Sequence, residues 1–183
     1  MYYGEIKKFD IANGSGVRVS LFVSGCTHHC KNCFNEVTWD FKYGKEFTDD
    51  TIEEIIQALR FDHIQGLSLL GGEPMELKNQ EGLYPLIKKV KELYPHKDIW
   101  CYTGYLYEDL LEGGKVYGPY TKEILSNLDI IVDGRFVEEL KDVRLRFKGS
   151  SNQRIIDVKQ SLEMNTIILS ELNPPRNFEK IKK

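Results

Sequence analysis

The sequence predicts an α/β fold, a partial (β/α) barrel of mostly parallel strands, and three observations carry that reading. Short apolar runs alternate with segments of helical periodicity from Val17 to Val158, and strands alternating with helices pair in parallel through helical crossovers. A complete eightfold barrel takes about 250 residues, so a chain of 183 residues supplies only part of one. The unusual residues also fall at one kind of place, directly after a predicted strand. In parallel α/β folds those strand ends share one edge, where ligands bind.

The elements follow in order. Val17 to Val23 is apolar and ends at Ser24-Gly25, which marks a first strand. Thr48-Asp-Asp-Thr51 can cap a helix through Arg60, with Ile52, Ile55, Ile56 and Leu59 on one face. Gly66 to Leu70 reads as a short buried strand ending in Gly71-Gly72. Leu83 to Leu93 is helical, with Leu86, Ile87, Val90 and Leu93 in phase and Pro95 as its stop. Asp98 to Tyr102 is a third strand before the turn Thr103-Gly104. Short helices at Leu106–Leu111 and Thr121–Leu128 precede a fourth strand, Asp129–Val132, closed by Asp133-Gly134. Ile155–Val158 is a further strand, followed by a short helix. No internal repeat or low-complexity linker divides the chain, which is expected to form one domain over residues 1–183.

Composition narrows the classes. The formal net charge of −3 carries no nucleic-acid footprint, and Lys180-Ile-Lys-Lys183 reads as a solvated tail. No apolar stretch approaches the roughly 20 residues that cross a bilayer. The N-terminus has no signal-peptide core. A reducing, cytoplasmic setting is therefore expected, in which four cysteines signify a metal rather than disulfides.

Three of those cysteines lie in Cys26-Thr-His-His-Cys30-Lys-Asn-Cys33. Three thiolates on a short loop can hold three irons of a four-iron, four-sulfur cluster and leave the fourth iron open. Electron-transfer clusters normally take four cysteines, so the open position points to chemistry at the metal. The alternative is a zinc knuckle closed by His28 or His29. Gly71-Gly72-Glu73-Pro74 lacks the spacing of a phosphate-binding loop. Its glycines let backbone approach a ligand, and carbonyls with a carboxylate suit an ammonium group. By itself the segment is also an ordinary strand-to-helix turn. What a local zinc knuckle does not require is the convergence of this turn, the cysteine loop, Thr103-Gly104-Tyr105 and Asp133-Gly134 on one edge.

The Cys26-x3-Cys30-x2-Cys33 motif followed by Gly-Gly-Glu-Pro resembles the radical S-adenosylmethionine superfamily. Within it, the chain is similar to the activating enzymes of anaerobic ribonucleoside-triphosphate reductase. That likeness runs through Gly14-Ser-Gly16, Arg18, Leu21 to Cys26, Cys33-Phe-Asn35, Thr38-Trp39 and Leu67 to Pro74. It continues through Trp100 to Tyr105, Val132 to Val137 and Lys148 to Arg154. The resemblance implies a barrel of the radical S-adenosylmethionine type. It implies Cys26, Cys30 and Cys33 as ligands of a 4Fe-4S cluster whose fourth iron binds the amino and carboxylate groups of S-adenosylmethionine. Gly72 and Glu73 would receive the amino group. The reduced cluster would cleave the cofactor to methionine and a 5′-deoxyadenosyl radical that takes hydrogen from a glycine of the reductase. No catalytic residue is implied beyond cluster and cofactor. The sequence does not name the electron donor; a low-potential flavodoxin or ferredoxin is the expectation. Many superfamily members carry an aromatic residue just before the third cysteine, whereas this chain has Asn32 there and Phe34 after Cys33. Adenine contact is therefore assigned to the backbone around Asn32, Cys33 and Phe34.

Other positions are read more plainly. Cys101 is expected to be a buried inert thiol, His28 and His29 solvent-facing, and Trp100 and Tyr102 packing residues. Thr103 and Tyr105 stand where they can touch a cofactor or partner. Asp133 can accept a ribose hydroxyl or simply form a turn. Gly149 to Arg154 is either a capped loop or part of the cofactor and partner surface. The competing functions are activation of another glycyl-radical enzyme of the formate-lyase type, a small iron–sulfur electron carrier, and a zinc-stabilised binding module.

Overall fold

The structure, a computed structural model, describes residues 1–173; the tail Lys180–Lys183 lies outside them. It is an α/β architecture with one seven-stranded mixed sheet in the order β3-β1-β2-β4-β5-β6-β7. The strands are β1 (Tyr2–Asp10), β2 (Val17–Val23), β3 (Lys45–Glu46), β4 (Ile64–Gly71), β5 (Asp98–Tyr102), β6 (Ile130–Asp133) and β7 (Arg154–Asp157). The helices are α1 (Asp49–Leu59), α2 (Leu77–Leu93), α3 (Thr121–Asn127) and α4 (Val158–Met164).

The centre matches the expected parallel pattern: β2, β4, β5 and β6 pair in parallel. The flanks correct it. β1 and β3 are antiparallel on one side, and β7 is antiparallel to β6 on the other. β1 escapes pattern reading because register shifts between Tyr3 and Glu5 and between Lys7 and Asp10 break its alternation. β7 runs backwards because it returns through the loop of residues 134–153 and a 3₁₀ turn, Glu138–Leu140, rather than through a crossover helix. The expected helix at Leu106–Leu111 is a 3₁₀ turn at Tyr107–Leu110.

α1 forms as its periodicity requires. Thr48 precedes it in extended backbone and donates its N–H to Thr51 Oγ1 at 3.2 Å, while Asp49 and Asp50 favour the positive N-terminal end. Ile52, Ile55, Ile56 and Leu59 are buried, each contributing about 1.5–3 kcal/mol. α2 begins at Leu77, earlier than Leu83, and carries Pro85 inside it. Its first turns are held by buried amides: Asn79 donates to the carbonyls of Ser24 and Glu73, and Gln80 to those of Met75 and Val116.

All four helices contribute to one apolar core on one face of the sheet, against Val19, Leu21, Leu67, Leu69, Ile99, Cys101 and Ile131. The opposite face carries Arg18, Ser20, Ser68, Trp100 and Tyr102, with Phe147 edge-on to Trp100 at 5.3 Å. Arg18 is fully buried there. Its guanidinium donates to Ser68 Oγ and the Leu67 carbonyl, lies against the Asp98 carboxylate and stacks 5.2 Å from the Trp100 ring. Ser68 in turn donates to the Asn13 carbonyl, so the Gly14-Ser-Gly16 loop is anchored through Arg18.

Removing one partner of a buried charge pair leaves the other uncompensated. Arg18→Ala is therefore expected to lower unfolding free energy by about 3 kcal/mol, read as a shift in the urea midpoint; a midpoint unchanged from the parent would contradict this role.

Candidate metal and cofactor site

The parallel register aligns Val23 with Gly71 and Tyr102 with Val132, so the strand ends form one edge. Segments after β2, β4, β5 and β6 meet there around a cavity of about 810 Å³. Cys26, Cys30 and Cys33 line it with Gly72, Glu73 and Phe34. Thr103, Gly104 and Gly134 complete that edge. The expected convergence of four distant motifs is therefore present.

Backbone conformation curls the cysteine loop. Gly25 has φ +97°, and an added Cβ would meet the Phe41 ring at 2.3 Å. His29 and Asn32 have φ of 49° and 56°; Asn is among the few side-chain-bearing residues that adopt this region readily. The loop's stem is held from below, because Gly25 N–H donates to the Thr38 carbonyl and Cys26 N–H to that of Trp39. This accounts for the Thr38-Trp39 segment. His29 is exposed, as expected, with its ring 4.5 Å from Trp39.

The Gly71-Gly72-Glu73-Pro74 turn is stitched to that stem. Gly72 N–H donates to the Val23 carbonyl and Glu73 N–H to the Gly25 carbonyl, both at 2.8 Å. A Cβ on Gly72 would lie 2.7 Å from the Gly25 carbonyl oxygen and 2.9 Å from that of Thr38. Glycine is thus required because two backbones cross here. Among the described residues no hydrogen bond ends on the Gly72 carbonyl, an acceptor at the cavity wall. Glu73 is only 1% exposed. Its Oε1 accepts from Met75 N–H at 2.8 Å, and its Oε2 accepts from Gly104 N–H at 2.7 Å and pairs with His28 Nε2 at 2.8 Å. One turn further, Glu76 Oε1 accepts from Thr27 N–H and from the Thr27 and Tyr105 hydroxyls.

Several sequence expectations change. His28 is not solvent-facing; its side chain is 10% exposed and joined to Glu73. Asp133 is fully buried and does not face a ligand, because its carboxylate is taken by Arg154 and Tyr107 N–H. Asn32 is exposed and stands outside the cavity wall, while Phe34 is on the wall and 85% exposed. Thr103 lines the cavity, whereas Tyr105 lies against His28 at 4.4 Å. Gly149 to Arg154 has both characters. Gln153 Oε1 caps the Gly149 and Ser150 N–H groups, and Gly149 and Gln153 also line the cavity. Asn79, Glu76 and Thr27 belong to the site's frame, and no spacing pattern marks them.

The donor set can be tested against the groups it might hold. Burial pushes the Cys26 thiol up to about 12, with Glu73 and Cys30 adding to the effect; a coordinated cation reverses this, since a ligating thiol is deprotonated outright. Among the described residues no three His, Cys, Asp or Glu side chains close on one point that a single ion could occupy. Zinc needs its ligands about 2.0–2.3 Å from one ion, whereas a cluster spreads cysteines over separate irons. Three cysteines line one cavity and could each hold one iron of a cluster, while His28 is hydrogen-bonded to Glu73. Cys101 is fully buried in the helix-side core, as expected, and burial pushes its thiol well above the usual range.

Comparison with known proteins places the chain among iron–sulfur proteins. The family described as "4Fe-4S single cluster domain" matches residues 12–156. The chain is 40% identical over 155 residues to the anaerobic ribonucleoside-triphosphate reductase-activating protein of Enterobacteria phage T4, covering 85% of this chain and 93% of the relative. The protein of the same name from Haemophilus influenzae is 41% identical over 157 residues, covering 85% and 97%. The one from Escherichia coli K12 is 38% identical over 155 residues, covering 84% and 96%.

Because the Cβ of residue 72 has no room, Gly72→Ala is expected to push the turn away from Gly25. It should cost about 1–3 kcal/mol of stability and lower the iron bound after anaerobic reconstitution. Parent-like stability and iron content together would show that the crossing is looser than described.

Proposed function

The chain belongs to the family of anaerobic ribonucleoside-triphosphate reductase-activating proteins within the 4Fe-4S single cluster domain family, and on that premise we propose that it generates a glycyl radical on such a reductase. The observation that carries this reading is one cavity, at the edge where the strand ends meet, lined by Cys26, Cys30, Cys33 and Gly72, whose carbonyl accepts no hydrogen bond among the described residues. Cys26, Cys30 and Cys33 hold the 4Fe-4S cluster. When bound, cluster and S-adenosylmethionine supply an electron, a broken carbon–sulfur bond and a deoxyadenosyl radical that removes hydrogen from the target glycine.

This chain's residues orient and enclose. Gly72 offers its carbonyl to the ammonium of S-adenosylmethionine. Glu73 keeps most of its acceptor capacity for Met75, Gly104 and His28, so it fixes the turn and leaves one lone pair for the ammonium. Adenine lies by the backbone around Asn32 and Cys33 and by Phe34, the exposed aromatic on the wall. Holding cofactor and glycine in one orientation is the main contribution of the protein. The sheet is read as part of a radical S-adenosylmethionine barrel formed by one domain, the cavity at its strand ends admitting the glycine segment of the reductase. No helix among the described residues is long and apolar enough to cross a membrane, and the working place proposed is the cytoplasm, with a low-potential flavodoxin or ferredoxin as electron donor.

Alanine at Cys26, Cys30 or Cys33 is expected to abolish cluster assembly, while Cys101→Ala keeps parent iron and sulfide. Loss of the cluster in Cys101→Ala with retention in a triplet variant would reverse the ligand assignment. With reductant and S-adenosylmethionine, the parent should place a glycyl radical on the anaerobic reductase of its own organism. Electron paramagnetic resonance would detect the radical, with matching formation of 5′-deoxyadenosine. A doublet formed only on a formate-lyase-type partner would overturn the choice of target.

A further inference from the structure

His28 lies between two of the thiols, yet it reaches away from its own loop. Its side chain is 10% exposed, its Nε2 lies 2.8 Å from Glu73 Oε2, and Tyr105 meets its ring at 4.4 Å. Room for the imidazole comes from a distant glycine: a Cβ on Gly104 would stand 2.4 Å from His28 Cδ2 and 2.5 Å from Nε2. Arg135 donates to the His28 carbonyl and holds the backbone from the other side. A buried carboxylate must be supplied with donors or it destabilises its surroundings. Two of the donors to Glu73 are backbone N–H groups, of Met75 and Gly104. Among the described residues His28 is the one side-chain donor, and the one that comes from the cysteine loop.

We propose that His28 is a positioning residue that locks the Cys26–Cys30 segment to the Gly72-Glu73 turn, so that S-adenosylmethionine affinity depends on its hydrogen bond to Glu73. The proposal rests on the cofactor reading above. The stem of the loop has separate anchors, Glu73 N–H to the Gly25 carbonyl and Thr27 to Glu76. Loss of the imidazole therefore leaves fold and cluster assembly standing while the relation between cluster and cofactor turn loosens. Groups outside the first shell of a metal site that orient its ligands typically act on this scale, about tenfold or more.

The test uses the full chain, reconstituted anaerobically and reduced. The readouts are iron content and the S-adenosylmethionine concentration that half-converts the cluster's electron paramagnetic resonance signal. His28→Ala should keep parent iron content and raise that concentration about tenfold. His28→Gln, whose amide can still donate to Glu73, should stay near the parent. Gly104→Ala, which displaces the imidazole, should match His28→Ala, and the double variant should be no worse than either single one. The proposal falls if His28→Ala responds like the parent, if it loses iron, if His28→Gln is as weak as His28→Ala, or if the two substitutions add. A parent with no response to S-adenosylmethionine would instead defeat the cofactor reading, and this proposal with it.

Discussion

One buried carboxylate organises the site. Glu73 has almost no solvent contact, and its buried oxygens are satisfied by donors from separate segments: Met75 after β4, Gly104 after β5 and His28 from the cysteine loop. Each donor constrains the sequence near it. Gly104 has no Cβ because the imidazole occupies that space, and Gly72 has none because the cysteine stem crosses there. Asn79, from the first turn of α2, donates to the carbonyls of Ser24 and Glu73 and so joins the two loops. The turn and the cysteine loop are thus joined by hydrogen bonds into one connected unit.

The sheet serves that unit by dividing its labour between faces. One face is packed with helices and supplies the apolar core. The other joins Arg18, Ser68 and Asn13 by hydrogen bonds, buries a smaller apolar cluster of Trp100, Val132 and Ile155 under Phe147, and borders the cavity at the strand ends. The parallel strands align the loops, while the antiparallel additions β1 and β7 widen the sheet.

What could be read from the sequence was local. The apolar runs at Val17–Val23 and Asp98–Tyr102 became strands with those bounds, the isoleucines of α1 were buried together, and the thiols met the glycine turn at one edge. What could not be read depends on partners far along the chain. β1 hides its period behind two register shifts, and α2 carries Pro85 yet starts early because Asn79 and Gln80 are fixed from outside. His28 looks like a loop histidine until Glu73, 45 positions away, supplies its acceptor. Asp133 looks like a ligand-facing turn until Arg154 and Tyr107 take its carboxylate.

The half-open cavity has a cost in durability. Cys30 and Cys33 are partly exposed at the cavity, so dissolved oxygen and peroxide reach sulfur by the same route as any useful visitor. Oxidation of cysteine climbs from reversible to irreversible states with access and thiolate character. Nothing in the packing of the described residues seals that route, so shelter for the thiols has to come from whatever large molecule sits over the opening, or from surroundings without oxidant.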